Sequence, residues 1–170
     1  MEYVKRALGV RLEYDSDTLP ILDHYMRAVP ADQVATVALV ATTAGAYFGE
    51  VVRNHIGGRW DISTGDPTTW RFILPSGISF VPARYALAAV IRGAGEDAEE
   101  PAEIDAPSLL RQLLDDAVAS MAEVSEETFY SLCGRLDTLE HLHEVVAAYA
   151  AQEIDRRAAA SAEPDEPLEN

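Results

Sequence analysis

The run from Val34 to Gly49 holds no charged residue and is apolar or small almost throughout, with three threonines in it. A helix without a polar face is buried on most sides, so any fold of this chain is built around the segment. The run falls short of the roughly 20 apolar residues that cross a bilayer. It therefore predicts a core helix rather than a membrane span. That helix starts near Ala31 or Asp32, regains polarity at Glu50, Arg53, Asn54 and His55, and runs to about Ile56. Gly57-Gly58 stops it, because glycine takes positive φ at little cost.

The flanking segments change period. Val10, Leu12 and Tyr14 alternate with Arg11 and Glu13, which predicts a short strand. Asp15 to Thr18 supplies N-caps for a helix from about Asp17 to Ala28, ended by Pro30. After the glycine pair, Arg59 to Ser63, Trp70 to Leu74 and Ile78 to Val81 form three short alternating runs. Thr64-Gly65-Asp66-Pro67 and Pro75-Ser76-Gly77 between them are turn chemistry. The pattern predicts an antiparallel meander packed on the central helix. Pro82 opens one more helix, which ends around Arg92-Gly93.

Residues 93–106 carry six acids and no cation, which reads as a solvated acidic linker. A helical hairpin follows at 107–160. Its first helix begins at Pro107-Ser108, and its second runs from Ser125 to about Ala159. The second helix carries an apolar stripe of Phe129, Leu132, Leu136, Leu139, His143 and Val146, spaced like a coiled-coil seam. Gly134 weakens its interior and marks a place for a kink. Residues 161–170 read as a disordered acidic tail. The fold class is thus α+β: an α+β domain at 1–92, the linker, and the hairpin.

Charge narrows the partners. Thirteen Lys+Arg stand against 29 Asp+Glu, a formal net charge of −16. That argues against nucleic acid, whose phosphates need cations, and against anionic lipid. Six of the acids lie in the linker and four in the tail, so much of the acidity serves solubility and linker extension rather than recognition. No apolar stretch of signal length follows Met1, and Cys133 is the only cysteine. The expectation is a cytoplasmic chain without disulfides.

Few residues offer chemistry. Glu50 follows the apolar run directly, and a carboxylate there must find a cation or hydrogen bonds. Arg53, Arg59 and Arg84 are the candidate partners, with Trp60 capping the core beside them. The structural reading, an ion pair pinning the helix to the sheet, outweighs a general base, because no second catalytic group stands nearby. Gly57-Gly58 follows a helix instead of opening one, so it is no phosphate loop. His141 and His143 are two apart and point to different sides of a helix, which does not suit a metal. Cys133 reads as a small buried hydrophobe. Trp60, Trp70, Phe72 and Phe80 read as core residues of one sheet face rather than a base-stacking platform. No catalytic residue, metal or cofactor is expected.

The segment Ala46-Tyr47-Phe48-Gly49-Glu50-Val51, with Gly57-Gly58-Arg59-Trp60 after it, resembles a group of uncharacterised bacterial domains. These carry an aromatic-Gly-Glu-Val helix followed by a Gly-Gly-x-Trp strand start. The resemblance covers residues 8–92. It implies a compact α+β module in which Glu50, Arg59 and Trp60 recur as structural points, and it implies no activity.

The resulting expectation is a non-enzymatic cytosolic protein-binding or adaptor module, in its specific form an immunity- or inhibitor-like protein. Its partner would be a protein, or a second copy held through the stripe of the C-terminal helices. The alternative is a small-ligand binder or enzyme using a pocket around Glu50 and Arg59.

Overall fold

The computed structural model describes residues 13–93, 104–121 and 124–162. The chain folds as α+β, with a small antiparallel sheet on a central helix and a packed pair of C-terminal helices. A 3-10 turn at Ser16–Thr18, capped by the Asp15 side chain, leads into α1 (Leu19–Arg27). Pro20 falls in the first turn of α1, where no intrahelical N–H is needed. The central helix is α2 (Val34–His55), and it packs against α3 (Pro82–Ile91). Gly45 permits their close crossing: a Cβ there would lie 2.6 Å from the Ala83 backbone.

The expectation that α2 is buried on most sides holds for its second half only. Val34 and Leu39 are 76% and 66% exposed. The reason is length. At 1.5 Å per residue, 22-residue α2 spans about 33 Å and 10-residue α3 about 15 Å. The partner helix cannot cover it from end to end. By length and composition α2 could also cross a membrane, but its inner face is packed in the core.

Gly57 and Gly58 end α2 with φ of 96° and 121°, as their type predicts. The sheet follows, with β1 (Arg59–Asp61), β2 (Arg71–Ile73), β3 (Ser79–Phe80) and β4 (Ile104–Asp105) in sequence order. Trp60 pairs with Phe72, Phe72 with Phe80, and Phe80 with Ile104. Alternation puts this row on the inner face, against Phe48 of α2. Arg71 spans the outer face, donating to Ser79 Oγ at 2.9 Å and Asp105 Oδ2 at 2.6 Å.

β4 corrects the linker at 93–106, whose last residues join the sheet. A two-residue strand is too short to give a periodic signal against an acidic background. The rest of that segment, 94–103, lies outside the described residues, as do 163–170 of the acidic tail. So do residues 10–12 of the expected first strand. Tyr14, its last residue, is no strand residue: its φ is +53°.

The C-terminal pair comprises α4 (Arg111–Ser120) and α6 (Leu132–Ala162), with one-turn α5 (Glu126–Phe129) before α6. The expected single helix from Ser125 breaks at Tyr130–Ser131, not at Gly134. Gly134 instead lets the two pieces pack, since a Cβ there would lie 2.2 Å from the Thr128 carbonyl oxygen. Leu132, Leu136, Leu139, Leu142 and Val146 of α6 share one core with Leu110 and Leu114, with Leu19 and Met26 of α1, and with Tyr85 of α3. Helix α6 packs on α1 and α3 as well as on α4.

Candidate functional site

Glu50 lies on α2 where the helix passes the edge of the sheet. Gly49 beside it leaves room for the Trp60 ring, which would be 2.2 Å from a Cβ at that position. The ring therefore packs close against α2 and donates its Nε1–H to Glu50 Oε1 at 2.7 Å. Arg53, one turn on, pairs with Glu50 Oε2. The Glu50 side chain stays 25% exposed, and it forms one end of a groove of about 490 Å³.

Tyr14, Tyr47, Trp60 and Trp70 wall that groove, with Val40 and Thr43 of α2 along its floor. The left-handed turn at Tyr14 places its ring on Tyr47, with centroids 5.1 Å apart. The Tyr14 N–H donates to the Tyr47 hydroxyl. Thr18 donates its own hydroxyl proton to the Asp15 carbonyl, so the Tyr47 hydroxyl donates to Thr18 Oγ1. Trp70 Nε1–H goes to the Thr64 carbonyl at 3.0 Å, and the Thr43 hydroxyl goes to Leu39. The donors of Tyr47, Trp60, Trp70 and Thr43 are thus used within the fold. Tyr14, Tyr47, Trp60 and Trp70 offer a ligand aromatic faces, and Glu50 offers carboxylate lone pairs.

Of the three candidate cations, only Arg53 reaches Glu50. Arg59 precedes Trp60 on β1 and so faces the opposite side of the sheet. There it adds to the field on Asp61, whose carboxyl is held below its ordinary range first by hydrogen bonds from Ser63, then by Arg59 and Arg71. Arg84 opens α3 and lines a different groove. The pocket around Glu50 and Arg59 is thus corrected to a groove around Glu50 and the four aromatic residues. Trp60 and Trp70 were expected in the core with Phe72 and Phe80. The two phenylalanines are fully buried, whereas the tryptophans are half-buried at the groove.

The stripe of the last helix faces inward. Leu132 and Leu139 are fully buried, Leu136 and Val146 nearly so, and Phe129 and His143 half-buried. Their neighbours are α1, α3 and α4 of the same chain, which accounts for the stripe without a second molecule. His141 Nε2 and His143 Nδ1 are buried, and no group of metal-ligating side chains occurs among the described residues. His55 meets Glu140 at 2.6 Å, tying the end of α2 to α6.

Two buried polar residues were not visible in the sequence as special. Asp23 of α1, 4% exposed, accepts the Leu132 N–H at 2.8 Å and the Cys133 N–H at 3.1 Å. It caps α6 from another helix, satisfying two of the donors a helix start leaves open. Burial, then Asp23, pushes the Cys133 thiol up to about 12, so it is a protonated, poor nucleophile. Arg135 is fully buried, with its guanidinium 4.4, 4.8 and 4.7 Å from the ring centroids of Tyr85, Phe129 and Tyr130. A cation caged this way is held by ring quadrupoles as well as by packing.

No protein-family model matches the chain, and neither a curated protein nor a solved structure does.

Proposed function

We propose that the protein is a non-enzymatic binding module and that its recognition site is the aromatic groove ending at Glu50. Its occupant is a segment of a partner protein that inserts a basic side chain. The observation that carries this reading is the division of hydrogen-bonding groups in the groove. The wall donors of Tyr47, Trp60, Trp70 and Thr43 are spent internally, and the Glu50 carboxylate still has lone pairs. A lysine or arginine supplies N–H donors to that carboxylate, and its stem and charge suit aromatic faces. The net charge of −16 favours fast approach of such a partner. An adaptor or inhibitor-like role in the cytosol fits this chemistry. An acid-base enzyme fits it less well: apart from its tyrosines, the groove contains one ionisable residue, and that carboxylate is already bonded to Trp60 and Arg53.

Tryptophan fluorescence tests the reading with short capped peptides that differ only in a central lysine, norleucine or glutamate. The lysine peptide is expected to bind, to weaken as salt rises, and to lose roughly tenfold in affinity to Glu50→Gln. Equal binding of all three peptides, or an unchanged affinity in Glu50→Gln, refutes it. A small cationic ligand is the second reading, favoured by a groove volume within the range of small-molecule sites.

A further inference from the structure

A second groove, of about 340 Å³, lies against another face of α2. Val34, Val37, Ala38 and Ala41 of α2 line one wall, at the spacing of a single helix face. Val40, Thr43, Ala44 and Tyr47 line the Glu50 groove at the same spacing, about 120° further round the helix. The two grooves share no residue. Leu87 and Arg84 of α3 close the far wall of the second one.

Two of the four α2 residues on that wall are alanines, whose small side chains leave the trough open. Its polar content is small. The Thr42 hydroxyl donates to the Ala38 carbonyl at 2.8 Å, and the Thr68 hydroxyl to Asp66 at 2.8 Å. Arg84 is the only charged residue of the lining. Among the described residues, Arg27, Arg53, Arg71 and Arg156 each pair with a carboxylate, whereas Arg59, Arg84, Arg92 and Arg157 make no ion pair, and of these four Arg84 is the one that lines either of the two grooves. Among the described residues no carboxylate neutralises this guanidinium, which stands exposed at the mouth of an apolar trough.

We propose that the groove binds an amphiphile with an anionic head, specifically an aliphatic carboxylate. The head takes the planar fork of Arg84, whose geometry matches a carboxylate bidentately. The chain lies along Val34, Val37, Ala38, Ala41 and Leu87, where it displaces water from apolar surface. The negative field of the whole protein opposes an anion, so a short acid without the apolar tail does not bind. This site is independent of the Glu50 groove.

Decanoate, kept below its micelle concentration, is the probe, and the methyl resonances of the full-length protein are the readout. Saturable shifts are expected at Val34, Val37, Ala38, Ala41 and Leu87, with none from acetate or from decyltrimethylammonium. Arg84→Gln is expected to weaken decanoate at least about tenfold, and Ala38→Phe to abolish it by filling the trough. Both residues are exposed, so the melting curves of the variants should match the parent. The proposal is overturned if Arg84→Gln binds decanoate unchanged, if the cationic amphiphile shifts the same methyls, or if the shifts fall in the Glu50 groove. A leucine-ended peptide acid that binds more tightly than decanoate would overturn the assignment to a lipid-like acid.

Discussion

Replacing Asp23 tests whether α1 really holds the start of α6. Its carboxylate is buried and accepts two backbone N–H groups, from Leu132 and Cys133. A hydrogen bond to a charged group contributes about 1.5–3 kcal/mol, and a buried donor left without a partner costs about 1–3 kcal/mol. Asp23→Ala removes both acceptors, and loss of an N-cap alone costs about 0.5–2 kcal/mol. The pair is not additive, so about 3–5 kcal/mol is expected. Asp23→Asn keeps one amide oxygen for one N–H and turns an NH2 toward the other, for about 2 kcal/mol. Whole domains are stable by only about 5–15 kcal/mol, so the alanine variant sits near its limit. Urea unfolding followed by far-UV circular dichroism gives both values. Hydrogen exchange adds a local readout, because the Leu132 and Cys133 amides should lose protection before the rest of α6. The reasoning is refuted if both variants stay within about 0.5 kcal/mol of the parent, the range of an ordinary surface change.

Two further outcomes follow from the same packing. Gly49→Ala drives a methyl into the Trp60 ring and is expected to cost about 1–3 kcal/mol. In a Trp70→Phe background it should shift Trp60 emission to the red as the indole lifts off Glu50, and unchanged emission contradicts the contact. Cys133 titrates near 9.0 ordinarily and near 12 in the fold. The unfolded chain therefore releases its proton first, and the stability tied to this thiol is present below about 9 and lost as pH climbs toward about 12. Cys133→Ala should flatten the alkaline fall in stability. Alkylation of the native thiol should be far slower than in urea, and equal rates contradict its burial.

The local part of the fold was legible because it is written in local chemistry. The uncharged run gave α2, the glycine pair gave its end, and three alternating runs gave the meander. Glu50 was legible as a carboxylate needing a partner, with Arg53, one turn away, among three candidates; that the ion pair stays within α2, and that the Trp60 indole rather than an arginine ties Glu50 to the sheet, was not. What was hidden depends on distant segments. Asp23 looks like an ordinary polar helix residue, because its partners follow 109 and 110 residues later. Arg135 interrupts an apolar stripe and shows its role only when Tyr85 arrives from α3. The stripe looked like a partner surface because sequence cannot say that α1 and α3 already cover it. Trp70 shares the parity of Phe72 in the alternating run Trp70 to Leu74, so the pattern put it in the core; it lies just before β2, where the chain leaves the sheet and the indole is half-buried at the groove. Tyr14 joins it through a left-handed backbone that no rule for a bulky residue anticipates.

The central claim is that recognition occurs at the Glu50 groove and not along the C-terminal helices. Heteronuclear NMR with a saturating lysine-bearing peptide tests it most directly. The account predicts shifts at the indole N–H signals of Trp60 and Trp70 and at the amides of Tyr14 and Thr43. Unmoved indole signals, with the shifts falling on Leu132 to Val146, would contradict it.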